Sequence, residues 1–189
     1  MNVYDLIMTR RTIRKFTQKP IERDLMVKLI DAARMAPTAA NAQPLSFGII
    51  TEKGLCDQIF PLLGWARYLN GTYTPTESER PTAYIAVFID GEKSNFTETA
   101  AGSAVENLLL MAHSQGLGSC WLGAVDRVKV LELLGTPENK QLLYIIALGY
   151  PSESPGVVDY TDDIKYYLDE QKVLQVPKKT FKDVVSIDR

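Results

Sequence analysis

Apolar positions recur along this chain in two rhythms, and the points where one gives way to the other mark its elements. Val3, Leu6 and Ile7 fall at i, i+3 and i+4 behind Asn2, a residue suited to capping a helix, with Asp5 in the first turn where the macrodipole favours an acid. This spacing predicts a first helix ending near Arg10. A second begins at about Glu22, where Leu25, Met26, Leu29, Ile30 and Ala33 form one stripe, and Pro37 marks its stop because the residue before a proline is pushed out of the helical region. From about Glu98 to Gln115, Ala101, Ala104, Val105, Leu108, Leu109 and Ala112 keep helical spacing, and Leu110 and Met111 widen the stripe to that of a deeply buried central helix. Gly116 is placed to end it, as Gly135 is to end a further helix from Arg127 to Leu134 that Asp126 can cap.

The other rhythm belongs to strands. Leu45 to Thr51 reads as one, and Tyr84 to Ile89 is apolar without a break, which predicts burial on both faces of a central sheet. Ser119 to Leu122 is a short strand, and Leu142 to Leu148 a further buried one. Gly64 to Pro81 has no period and is expected to be an irregular excursion that could border a pocket. After Tyr150 the texture changes to Pro151, Pro155, Gly156, aspartates and Tyr166-Tyr167, and about 40 residues follow the last apolar strand, a length that asks for a purpose. Embracing a second subunit is one purpose; completing a ligand site with Lys178 and Lys179 is another.

Composition narrows the class. The chain has 189 residues, enough for one domain with a real core, so residues 1–189 are expected to form a single unit with about 150–189 as a C-terminal extension. Its net charge is -2 from 21 basic and 23 acidic residues, which argues against general nucleic-acid binding. Cys56 and Cys120 are the two cysteines and form no C-x-x-C pair, so neither a zinc site nor a disulfide framework is suggested. No apolar run approaches the roughly 20 residues of a spanning helix, and the start lacks a charged segment leading into an apolar one. The expectation is a cytoplasmic protein that engages neither membrane nor nucleic acid.

Against that near-neutral background, Arg10-Arg11-Thr12-Ile13-Arg14-Lys15-Phe16 places four cations in seven residues, with no carboxylate between Asp5 and Glu22. Guanidinium forks, a hydroxyl and backbone N–H groups together match a phosphate, although the cluster reads equally as a solvated turn between two helices. In Pro37-Thr38-Ala39-Ala40-Asn41-Ala42-Gln43-Pro44 the alanines let a flat ring approach the backbone, while Asn41 and Gln43 can donate and accept as a heterocycle requires. Gly116 to Gly123 lacks the Gly-x-Gly-x-x-Gly spacing of a dinucleotide fold and follows a helix, which disfavours that fold. Leu122 and Gly123 could still bring backbone N–H groups against a ligand, whereas Cys120 and Trp121 read as packing residues. His113 stands without an orienting acid or a metal-ligand neighbour, and no G-x-S-x-G elbow is present. Enzymatic chemistry here would belong to a cofactor.

Taken together, Arg10 to Phe16, Ala36 to Phe47, Gly116-Leu117-Gly118 with Leu122-Gly123, and the terminal Pro177-Lys178-Lys179 resemble the FMN-dependent nitroreductase family in order and spacing over essentially the whole chain. The resemblance implies an α+β fold with a mixed central β-sheet surrounded by helices, in an intertwined homodimer holding two FMN molecules at its interface. Arg10, Arg11, Thr12 and Arg14 of one subunit would hold the phosphate and the polar edge of the ring, with Lys178 or Lys179 completing the phosphate site. Pro37, Thr38, Ala39 and Asn41 would come from the other subunit, and Gln43 fits the same motif. The backbone of Leu122 and Gly123 would approach flavin N5, with Leu122 standing where some members carry an acid. The implied activity passes hydride from NADH or NADPH through N5 to a nitroaromatic, a quinone or a related acceptor in ping-pong fashion, with no metal and no catalytic side chain. A flavin-binding or sensing protein with little turnover is the alternative, as are dehalogenation, dehydrogenation and flavin breakdown. Trp65, Arg67, Tyr68 and Tyr73 either line the acceptor pocket or pack their own excursion.

Overall fold

A computed structural model describes residues 2–186. In chain order the elements are α1 (Val3–Thr9), α2 (Arg23–Arg34), β1 (Leu45–Ile50), α3 (Lys53–Ile59), β2 (Ala83–Asp90), α4 (Thr97–Ser114), β3 (Gly118–Leu122), α5 (Arg127–Leu134), β4 (Lys140–Gly149), β5 (Gly156–Asp159), β6 (Tyr167–Leu168), β7 (Leu174–Lys178) and α6 (Phe181–Val184), with 3-10 turns between. The local devices are those the residue types suggest. Asn2 Oδ1 accepts the Asp5 N–H at 2.9 Å to open α1, and Asp126 caps α5 through the Lys129 N–H. Gly116 and Gly135 take φ of 74° and 57° to close α4 and α5, where a residue with a Cβ would be strained.

β1, β2, β4 and β3 lie side by side in that order, every ladder antiparallel. β2 is sandwiched, so both its faces must be apolar: Ile85 and Val87 meet Met26, Leu29, Val105 and Leu108 from α2 and α4, whereas Tyr84 and Ala86 meet Cys56, Ile59 and Val130 from α3 and α5. The architecture is therefore α+β, a sheet with a helical layer on each side. In this central sheet the expected mixed character enters, among the described residues, at the β3 edge, where Thr12 makes a parallel bridge to Ser119 and the Ile13 N–H donates to Ser119 O at 2.8 Å.

Two glycines make that edge addition possible. A Cβ on Gly118 would stand 2.8 Å from Ile13, and one on Gly149 would stand 2.8 Å from Phe16, so both side chains seat where only a glycine leaves room. Ile13 and Phe16 are buried, and the cations between them are held as an extra, extended edge segment.

Two parts of the architecture lie outside the predicted elements. α3, capped by Glu52 through the N–H groups of Gly54 and Leu55, follows β1 directly. Beyond residue 150 the chain forms a small sheet, β5-β7-β6, whose Leu174 packs against Ala66 and Tyr73 of the 64–81 excursion. Among the described residues no helix is long and apolar enough to cross a membrane.

Candidate functional site

The cations of the 10–16 segment are individually engaged by their own chain. Arg10 Nε meets Glu106 Oε1 at 3.0 Å, and Arg11 closes α1 by donating to Met8 O at 2.7 Å and Arg10 O at 2.5 Å. Burial, and then the neighbouring Arg10 charge, lower the Arg11 pKa. With Thr9, His113, Ser119 and Glu153, the two arginines line a cleft of about 360 Å³. His113 Nε2 lies 2.9 Å from Thr9 Oγ1, and its pKa is pushed down by burial and then by Arg10 and Arg11.

Arg14 is arranged differently. Its backbone N–H donates to Glu153 Oε1 at 2.5 Å, its guanidinium carbon sits 5.0 Å from the centre of the Tyr166 ring, and its Nε is buried with no partner in the chain. Lys15 is drawn aside to Glu79 at 2.9 Å. Among the cations of this segment Arg14 has a buried donor left over, and a buried N–H without an acceptor costs about 1–3 kcal/mol.

The polar loop Pro37–Pro44 carries backbone strain. Ala40, Asn41 and Gln43 have φ of 51°, 55° and 46°, a left-handed region that asparagine tolerates and alanine and glutamine seldom adopt. Thr38 holds the turn, accepting the Asn41 N–H on its carbonyl at 3.0 Å and the Gln43 N–H on its hydroxyl at 3.1 Å. Pro37, Ala39, Asn41 and Gln43 are exposed. This loop leads into β1, while Thr12 and Ile13 of the basic segment join the far edge of β3, four strand spacings or on the order of 20 Å from β1. Among the described residues no hydrogen bond or ion pair joins the two motifs.

Gly123 lies at the end of β3, on the same edge as Arg14. It is exposed, its carbonyl accepts from Arg127 at 3.1 Å, and an added Cβ would meet nothing closer than Tyr144 at 3.7 Å. The fold itself therefore has room for a side chain at Gly123. Leu122 is buried in the core cluster below α3 and α5, paired with Ile145 of β4. The 64–81 excursion starts beside this turn, with the Gly64 N–H donating to Ala124 O at 2.8 Å. Of its aromatic residues, Trp65 stacks on Phe60 at 5.5 Å and Tyr73 is buried, so these two pack, whereas Tyr68 and Arg67 are exposed. Lys178 ends β7 and Lys179 follows it; both are exposed, and neither lines the cleft with Arg10 and Arg11.

Sequence reasoning passed over Glu153 and Tyr166. Both stand in the aperiodic stretch after Tyr150, where no hydrophobic rhythm announces a contact. The one available signal is their place within a tail too long to be idle.

A sequence model of the nitroreductase family matches residues 7–70 and 78–150. A candidate NADH dehydrogenase/NAD(P)H nitroreductase of Methanothermobacter thermautotrophicus is 31% identical over 177 residues, covering 90% of this chain and 88% of the relative. An iodotyrosine deiodinase of Thermotoga neapolitana is 30% identical over 80% of this chain and 89% of its own. The crystal structure of a candidate nitroreductase from Desulfovibrio desulfuricans, in complex with FMN, superposes with a TM-score of 0.70 at 26% identity, covering 86% of this chain and 93% of that one. The family match spans the edge segment, the strained loop and the β3 turn alike, and on that ground the chain belongs to the nitroreductase family.

Proposed function

We propose that this chain is an FMN-dependent NAD(P)H oxidoreductase acting as a homodimer, with each FMN held between subunits and a nitroaromatic, quinone or related molecule as acceptor. The observation that carries the reading is Arg14 Nε, buried and unpartnered on the edge that ends at the open backbone of Gly123. FMN fits this edge chemically: N1 and the adjacent carbonyl of its pyrimidine ring offer acceptors to Arg14, and its phosphate suits the cationic corner of Arg10, Arg11 and Thr12. Bound FMN would supply two-electron transfer at N5, with NADH or NADPH as donor.

The chain's own residues would bind, orient and tune. A cation beside the N1 edge favours the negative charge that reduction brings there. Gly123 would leave the N5 side clear. Pro37, Thr38, Ala39, Asn41 and Gln43 would serve the site of a second copy, a reading supported by β2 and β4 lying between β1 and β3, and Lys178 or Lys179 would complete a phosphate site in the assembled dimer. A second copy also answers an otherwise unexplained face: α1 buries none of its residues, and its Val3, Tyr4, Ile7 and Met8 are all at least half exposed.

Visible absorbance of the purified protein, with the released flavin identified, tests the cofactor; a colourless protein that takes up no FMN overturns the reading. Steady-state oxidation of NADH and NADPH with a quinone then separates an enzyme from a flavin-binding module, which would hold FMN with negligible turnover. The deiodinase relative makes reductive dehalogenation the acceptor chemistry to set beside it, read as iodide release from an iodinated phenol.

A further inference from the structure

One carboxylate sits where a flavin site should not want it. Glu153 stands next to Arg14, accepting its backbone N–H, and lines the same cleft as Arg10 and Arg11. A free negative charge there would oppose the negative charge that reduction places on the ring. Both oxygens of Glu153 are nevertheless occupied: Oε1 accepts the backbone N–H groups of Arg14 at 2.5 Å and Lys15 at 3.2 Å, and Oε2 accepts the Tyr73 hydroxyl. Three donors spread the carboxylate's charge and fix its position. Tyr73 is itself buried between Ala66 and Leu174, so the grip is anchored where the 64–81 excursion meets the C-terminal sheet. From the other side, Tyr166 carries the Arg14 guanidinium on its face and rests on Tyr68 at 5.0 Å, its hydroxyl accepting the Tyr68 N–H at 3.3 Å.

On the FMN reading above, we propose that Glu153 is a positioning residue: it holds Arg14 by the backbone so that the guanidinium reaches the N1 edge of the flavin, and Tyr73 holds Glu153 in that grip. The excursion that starts beside the β3 turn is thereby tied to the electron affinity of the cofactor. Glu153 acts through geometry and against the sign of its own charge.

That opposition of signs makes the test decisive. The midpoint potential of bound FMN is measured for the parent, Glu153→Ala, Glu153→Gln, Tyr73→Phe, Arg14→Gln and the double variant Glu153→Ala with Arg14→Gln. If Glu153 positions Arg14, Glu153→Ala favours oxidised over reduced FMN by about tenfold, a shift of about 30 mV to more negative potential for a two-electron couple. Arg14→Gln moves the potential the same way, and the double variant moves it no further than Arg14→Gln alone. Glu153→Gln keeps an acceptor for the Arg14 N–H and can donate its amide to the Tyr73 oxygen, so its potential stays at or above that of the parent. Tyr73→Phe keeps the buried ring, protects the fold, and gives a smaller negative shift. A positive or absent shift in Glu153→Ala, additive shifts in the double variant, or a potential indifferent to Arg14→Gln overturns the proposal. A parent that carries no FMN overturns the underlying reading instead, and shows it before any variant is made.

Discussion

At the scale of single residues, the separation of support from function can be measured. Arg11 has two duties, since it closes α1 through Met8 O and Arg10 O and stands in the cationic corner of the cleft. Arg11→Ala is expected to weaken FMN retention by about 1.5–3 kcal/mol, the range for a hydrogen bond to a charged group. Equilibrium dialysis of the variant checks it, and unchanged retention removes Arg11 from the phosphate site. Gly123 is the reverse case. Its backbone does not need a glycine and its surroundings leave room for a Cβ, so Gly123→Ala should leave the thermal midpoint of the FMN-free protein unchanged while weakening FMN binding. Equal FMN affinity in the two proteins would place the ring elsewhere. Glu79 predicts an acid limit. Its carboxyl is held below the usual 4.5 by the Thr76 N–H, with Lys15 adding to the effect, so it stabilises the fold above that value and the contribution fades as pH falls through the lowered pKa. Thermal midpoints measured below about pH 4.5 should therefore fall more steeply in the parent than in Glu79→Gln.

At the scale of elements, caps and periodicity made most of the fold legible in advance. Asn2, Asp126, Gly116 and Gly135 announce helix ends because each meets a local backbone requirement that no tertiary contact alters. Asp126→Ala should accordingly cost about 1 kcal/mol by chemical denaturation, as the loss of an N-cap does. α3 escaped notice because its seven residues, LysGlyLeuCysAspGlnIle in sequence, are too few to establish a period and include a glycine. The C-terminal sheet escaped because its strands are 4, 2 and 5 residues long and Pro177 interrupts the last, so neither alternation nor length separates them from loop. The candidate site divides along the same line. The basic segment and the strained loop are visible as clusters of residue type, whereas Glu153 and Tyr166 matter only through partners some eighty to a hundred and fifty positions away.

At the scale of the whole molecule, the exposed apolar α1 and the distance between the two polar motifs lead to one expectation. Sedimentation should find a dimer, and a stable monomer with full FMN occupancy would contradict a shared site. On the shared-site reading the sheet order has a role: β2 and β4 lie between β1, which follows the loop, and β3, whose outer edge Thr12 of the basic segment bridges.

A site shared in this way would give the protein an unusual genetics. Lesions at Arg14 and at Asn41 would be recessive to one another, because a heterodimer of the two damaged chains gathers both faults into one site and leaves the other site whole. Refolding an equal mixture of two inactive variants, Arg14→Gln and Asn41→Ala, should therefore restore flavin to about a quarter of the parental sites, the share that random two-fold pairing allows. A mixture that stays as empty as its parents would mean that each chain builds its site alone.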